Sequence, residues 1–325
     1  MLNKQLITVA IVSILCCAAV HVDGAKPAKG GGGNHIQRGI QLAQEKHFDA
    51  AADEFGKAIK DSPNDPRGYA NRGTAYRQAA RAAVAAGDQE GASTRYQSAM
   101  ADFSKYIEVA PKDASGYLER GETQIELKQY DPALADLNKA LELKPDDLTA
   151  LKFRGFAELG LSQWDKAVAD FTTFIQKKPD DLQSYDRRAL AYRSMKNYDA
   201  AIADYTFLIT TNPNDMEATT KRGYTYSLAQ QYENAIADYQ AVLKVNPQDN
   251  DTFQRLQYAQ SMLAAKNASP SPTPPIASPT PEEKRLMDKI SPLYIGIGVV
   301  ALLIIAVIVR LLTRGKAEPT SHRIR

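Results

Sequence analysis

The residues of this chain that could do chemistry occur mostly as one recurring pair. Arg38, Arg120, Arg154, Arg188 and Arg222 each stand sixteen positions before an acid (Glu54, Asp136, Asp170, Asp204 and Asp238), and Arg72 has Asp102 in the matching place after an insertion. A single arginine–carboxylate dyad could orient a substrate or stabilise developing charge. Six copies at a fixed interval read instead as structural ion pairs between neighbouring elements.

Other reactive groups are sparse. Of four histidines, His21 and His322 lie near the two ends, His35 fills a column otherwise held by Tyr69, Tyr117, Leu151, Tyr185 and Thr219, and His47 falls at a turn. His35 therefore reads as a packing substitute and His47 as solvated. The two cysteines, Cys16 and Cys17, sit in an N-terminal apolar stretch whose removal leaves no thiolate, disulfide or cysteine-ligated metal. Gly30 to Gly33 neither follow a strand pattern nor precede Lys-Ser/Thr, so they read as a linker rather than a phosphate loop. We expect no catalytic residues, no metal site and no cofactor, and hence a chain that is not an enzyme.

The elements that position these residues are set by a period. Pro111, Pro145, Pro179, Pro213 and Pro247 recur every 34 residues, and Pro63 precedes Pro111 by 34 plus 14. Twelve positions before each proline lies an alanine (Ala51, Ala99, Ala133, Ala167, Ala201, Ala235), and eight before it a large side chain (Phe55, Phe103, Leu137, Phe171, Tyr205, Tyr239). The first-helix arginine is followed by a small residue, Gly39, Gly73, Gly121, Gly155, Ala189 or Gly223, which lets two helices approach closely. Trp164 shares its position with Phe48, Tyr130, Tyr198 and Tyr232 and reads as packing.

This pattern resembles the tetratricopeptide repeat, in six copies covering roughly Asn34 to Pro247. Each copy is expected to be an antiparallel helix pair ending before its proline. The resemblance implies an all-α fold, a right-handed superhelical solenoid of six helix-turn-helix repeats whose first helices line a concave face.

The second unit departs from the pattern: Tyr76 and Ala99 stand 23 apart where equivalents stand nine apart. The insertion, near 78–97, is alanine-rich around Gly87 to Gly91. Shared equally, its residues lengthen each helix by about two turns, giving a hairpin that protrudes at the loop edge, either as a docking spur or as a tolerated extension. A capping helix, roughly Asp249 to Lys266, is expected to turn Phe253, Leu256, Met262 and Leu263 toward the array and Gln254, Arg255, Gln257 and Gln260 outward.

Both ends differ from the middle. Residues 1–24 carry Lys4 and then an uncharged stretch, Gln5 to Val20, of signal-peptide length, with cleavage or retention as a short anchor both open. Residues 25–34 read as a Gly-rich linker and 35–266 as the solenoid. Residues 267–292 form a Pro/Ser/Thr-rich spacer and juxtamembrane segment, open to glycosylation and extended at about 3.1 Å per residue. Residues 293–312 are apolar enough to span a bilayer core of about 30 Å.

The tail 313–325 is basic, which places it in the cytoplasm by the positive-inside rule. The expected topology is a single-pass protein of the inner (plasma) membrane, with its solenoid extracytoplasmic and, in a bacterium, periplasmic. The formal net charge of +2 gives no sign of a nucleic-acid partner.

The family's concave-face positions transfer onto Asn71, Arg77, Glu119, Glu122, Lys152, Phe153, Phe156, Arg187, Leu190, Arg193, Lys221 and Tyr224, which vary between units while the packing columns do not. An aromatic groove edged with cations suits an extended or helical peptide with apolar anchors and some negative charge. Chaperone-binding members hold a terminal carboxylate with lysine, asparagine and arginine. Asn71 matches one such place, but Ile36, Ile40, Ser115 and Glu119 stand where others are required, so that clamp is broken. The expectation is a membrane-anchored scaffold or adaptor for a protein or peptide partner, with no small-molecule substrate. Two alternatives stay open: an accessory subunit of an envelope or secretory complex, and a tail-anchored cytosolic adaptor if the leader is not an export signal.

Overall fold

In every unit the residue two after the proline is an aspartate, and this Pro-x-Asp step starts each new hairpin. Asp65, Asp113, Asp147, Asp181 and Asp215 occupy helix N-caps, where their carboxylates accept from backbone N–H groups of Arg67, Ser115, Thr149, Ser184 and Ala218. Asp249 does the same for Thr252 at 3.0 Å. The computed structural model describes residues 31–268, and among them it contains thirteen helices and no strand.

Six hairpins follow one another: α1 (Gly31–Gln44) with α2 (Phe48–Asp61), α3 (Pro66–Ala86) with α4 (Gln89–Val109), and α5 (Ala114–Glu126) with α6 (Tyr130–Leu143). Next come α7 (Leu148–Gly160) with α8 (Trp164–Lys177), α9 (Leu182–Ser194) with α10 (Tyr198–Thr211), and α11 (Met216–Leu228) with α12 (Tyr232–Val245). A last helix, α13 (Asn250–Asn267), closes the described chain. Two units divide the protein, Met1–Leu263 and Ala264–Arg325, and the hairpins belong to the first.

Within each ordinary hairpin the first helix ends on a left-handed residue, Lys46, Lys128, Ser162, Lys196 or Gln230, at φ of 58–63°. The following N–H reaches back five residues, as from His47 to Leu42 at 2.9 Å and from Gln129 to Gln124 at 2.8 Å. This satisfies carbonyls that the helix end would leave orphaned and turns the chain into the second helix.

The packing columns read from the sequence meet at the centre of each hairpin. All six column alanines are fully buried, and the large side chains from Phe55 to Tyr239 lie almost fully buried beside them. The small residues seat those side chains: a Cβ on Gly39 would stand 2.5 Å from the Phe55 ring, and one on Gly73 2.8 Å from Phe103. Each small residue is thus a socket, and hairpin closure depends on it.

Five of the six arginine–acid pairs form two-pronged bonds at 2.7–2.9 Å: Arg72–Asp102, Arg120–Asp136, Arg154–Asp170, Arg188–Asp204 and Arg222–Asp238. A third prong reaches the preceding hairpin, from Arg120 to Ser104, Arg154 to Asn138, Arg188 to Thr172 and Arg222 to Thr206. The arginine therefore ties a hairpin both to itself and to its neighbour. The first unit is the exception. Arg38 stays 4.0 Å from Glu54, which instead binds His35 and Lys57, each at 2.6 Å. His35 directs its Nδ1 to the Glu54 carboxylate rather than into packing, and Lys57 first, with His35, holds the Glu54 carboxyl down at about 2.

Three expectations need correcting. Helix α1 already begins at Gly31, inside the stretch assigned to the linker. The lengthened α3–α4 hairpin, with Gly87 at φ 81° at its tip, does not simply protrude. Its added turns bury Ala80, Ala92 and Tyr96 against Leu127, bind Asp49 of α2 through Arg95 at 2.9 Å, and bind Glu122 of α5 through Arg81 at 2.7 Å. On α13, Leu256 and Ala259 pack against Tyr232 and Tyr239 with Met262 and Leu263 beside them, but Phe253 is 48% exposed. The residue that turns inward from that stretch is Thr252, whose hydroxyl is taken by Asp249.

Among the described residues no helix is long and apolar enough to cross a membrane. The predicted signal peptide, spacer beyond residue 268, transmembrane segment 293–312 and basic tail lie outside the described residues.

Candidate peptide-binding groove

First helices of successive hairpins touch directly, α1 with α3, α3 with α5, α5 with α7 and α7 with α9. The side on which neighbours come closest is the inner side of a stacked array, and the predicted groove residues sit on these helices.

At the α3–α5 step the predicted groove charges are consumed internally. Arg77 is 4% exposed and pairs with Glu119 at 2.5 Å and Glu122 at 3.1 Å, while Arg81 pairs with Glu122 and Glu126 and Tyr96 donates to Glu126 at 2.7 Å. Burial opposes the charge on Arg77, yet the facing carboxylates more than offset it and its pKa is raised. Burial likewise pushes Glu119 up against the pull of Arg77. Arg77, Glu119 and Glu122 are thus a brace between units two and three rather than open recognition groups, because two arginines and three acids face each other across one helix contact. Asn71 spends its amide on the Arg67 carbonyl at 2.8 Å.

Toward α7 the aromatics are half-buried and interlocked. The Phe153 and Phe156 rings lie 6.0 Å apart, and Phe156 meets the buried Phe171 edge-on at 5.4 Å. Lys152 sits over Phe156 at 5.9 Å and Phe174 at 5.4 Å but is bound to Asp181 at 2.6 Å. Burial raises the Asp181 carboxyl, yet Lys152 and the Ser184 amide pull it below its usual value. These residues stabilise the α7–α9 contact and offer a partner mainly their edges.

From α9 to α13 the surface opens. Arg187 lies over Phe156 at 6.0 Å, Leu190 is half-buried, and Arg193 lies over Tyr224 at 5.3 Å with one N–H on the Tyr205 hydroxyl at 3.4 Å. Lys221 is held by Asp186 at 2.6 Å and Glu217 at 2.8 Å. Tyr224 itself is 37% exposed. Sequence reasoning missed its other neighbours: Arg255 of α13 stands over the Tyr224 ring at 5.0 Å, and Leu228, Gln254 and Tyr258 join it around an open cleft of about 420 Å³. The helical spacing from Tyr224 to Leu228 was the available signal; Arg255 needed the capping helix in place. Among the described residues no three His, Cys, Asp or Glu side chains converge as a metal ligand set.

Tetratricopeptide repeat family models match residues 114–147 and 187–250. No curated protein matches the chain. Among solved structures, the YrrB tetratricopeptide repeat protein, described as having an unusual peptide-binding site, aligns at a TM-score of 0.52 with 18% identity, covering 65% of this chain and 99% of its own. PilF of Pseudomonas aeruginosa aligns at 0.52 with 15% identity, covering 71% of this chain and 96% of its own. The anaphase-promoting-complex assembly Cut9–Hcn1 aligns at 0.52 with 17% identity over 70% of this chain, and the chain spans 42% of its length. At these identities the likenesses show the fold: an all-α array of tetratricopeptide-type hairpins.

Proposed function

We propose that the chain is a membrane-anchored scaffold that holds a partner protein by an extended or helical segment laid along the inner face of α7, α9 and α11. The observation that carries this reading is the run of accessible apolar and cationic side chains, Leu190, Arg193, Tyr224 and Leu228, on adjacent helices of the array. Such a run supplies rigid aromatic anchors with a cationic edge, the usual makings of a binding hot spot. Phe153 and Phe156 back it from the preceding hairpin, and Arg187 from the same helix as Leu190. The solenoid is exported by the Lys4-led apolar leader and tethered by residues 293–312, with its basic tail in the cytoplasm. In a bacterium it stands in the periplasm at the inner membrane.

Two experiments test the reading. Crosslinking and capture from membranes compares the natural chain with Leu190→Ala/Tyr224→Ala, two substitutions that leave the buried Phe156–Phe171 contact intact. A partner held by the first and lost by an equally helical variant is the expected result; retention of every partner refutes the groove. A topology reporter fused before Pro270 is expected to be active outside the cytoplasm, and cytoplasmic activity refutes the export half.

A further inference from the structure

Arginine in this array is spent on carboxylates. Every arginine among the described residues other than Arg193 and Arg255 has a carboxylate oxygen within 4.0 Å. The two exceptions converge on one ring, with Arg193 at 5.3 Å and Arg255 at 5.0 Å from the Tyr224 centroid. They come from helices far apart in sequence, α9 and α13, so no single-helix pattern accounts for the meeting. Asp251 lines the same cleft and pairs with neither.

Two like charges held around one aromatic ring repel each other, and the ring's negative face repays only part of that. A planar guanidinium also presents five N–H donors, of which Arg193 uses one on Tyr205 and Arg255 none on the described residues. Beside the pair, Leu228 and Tyr258 stay exposed around the cleft. The site is therefore electrostatically unfinished and next to an apolar seat, which is what a charged residue flanked by an apolar one would complete.

Resting on the groove reading above, we infer that the Arg193–Tyr224–Arg255 cluster receives the side-chain carboxylate of an aspartate or glutamate in the bound partner segment, with an adjacent apolar side chain entering the cleft beside Leu228 and Tyr258. This fixes the direction and register of the segment at the α11–α13 end of the groove. It also gives the partner a sequence requirement: an acid next to an aliphatic or aromatic residue.

The test uses the full chain in detergent and a phage-displayed library of random dodecapeptides, whose fusion leaves no free carboxyl terminus. The natural protein is expected to select peptides enriched in acidic residues beside apolar ones, and Arg193→Gln/Arg255→Gln to keep the apolar preference while losing the acidic one. For a selected peptide made synthetically, replacing its acid by the amide is expected to weaken binding about ten- to hundredfold, the range for hydrogen bonds to charged groups. That peptide arm stands even if the double variant folds poorly. Selection of apolar peptides without acidic preference overturns the carboxylate site while sparing the groove. Failure to select anything, with membrane capture still lost in Leu190→Ala/Tyr224→Ala, also overturns it and leaves the groove standing. Loss of both signals removes the groove reading as well.

Discussion

Glu158 is the side chain whose replacement has the most legible consequence. Four residues after the hairpin arginine, the units carry Leu42, Tyr76, Gln124, Glu158, Tyr192 and Tyr226. Where tyrosine stands, the arginine lies over its ring at 5.8–6.0 Å, as in Arg72–Tyr76, Arg188–Tyr192 and Arg222–Tyr226. Glu158 puts a carboxyl there instead, 4% exposed, with its Oε2 unpartnered and the Asp170 carboxylate nearby. Burial first, and Asp170 second, push it up to about 7 from 4.5.

A folded pKa above the unfolded one means that the folded state prefers the protonated acid. Stability is therefore full below about pH 4.5 and is lost as pH rises through about 7. At about 1.36 kcal/mol per pH unit, the rise from 4.5 to about 7 sets a ceiling of about 3 kcal/mol, and partial solvent screening reduces this to about 1–2 kcal/mol. Glu158→Gln keeps the shape and removes the ionisation. Thermal unfolding followed by far-ultraviolet circular dichroism is expected to show equal midpoints at pH 4.5 and a midpoint about 2–8 °C higher for the variant at pH 8.5. Carboxylates that titrate in both proteins cancel in the difference. Midpoints that run parallel across the range refute the reasoning.

Three further substitutions follow from the same packing. Gly56 occupies the column of Ser104, Asn138, Thr172 and Thr206, and a Cβ there would stand 3.5 Å from the Arg72 guanidinium; Gly56→Ser should restore the missing third prong and improve helix propensity, adding about 1 kcal/mol in urea denaturation. Gly39→Ala should cost about 1–3 kcal/mol in the same assay, because its Cβ meets the Phe55 ring at 2.5 Å. Lys196→Gly relieves a left-handed φ of 62° and should add about 0.5–1 kcal/mol.

The parts of this molecule that are legible in sequence are those written several times over. The proline, alanine and aromatic columns and the arginine–acid pairs declare themselves because each deviation stands against five agreeing copies. The Pro-x-Asp caps and the Ser/Asn/Thr prong column are written just as often, but their function is visible only when one knows which backbone N–H or guanidinium they face. Features that occur once have no such redundancy. The Arg77–Glu119–Glu122 brace joins two units through a contact no other pair repeats, so its members look like free groove charges until α3 and α5 are side by side. Glu54, one carbon longer than the aspartate of its column, reaches His35 and Lys57 instead of closing on Arg38. Phe253 turns outward because its neighbour Thr252 takes the inward position, its hydroxyl held by Asp249.

The long second hairpin alters how the array would respond to force. Ordinary hairpins in such a stack are tied to a neighbour mainly by packing and an arginine prong, so loss of one simply exposes the next. Here Arg95 clamps α4 to α2, and Arg81 with Tyr96 clamps the same hairpin to α5. Tension applied at the α13 end should peel hairpins singly from α11–α12 inward and then stall at this clasp, which must release the first three hairpins together. A force–extension trace with short early steps followed by one long step at higher load would record it. The array is thus graded, with a compliant end on the side of the proposed groove and a stiff root behind it.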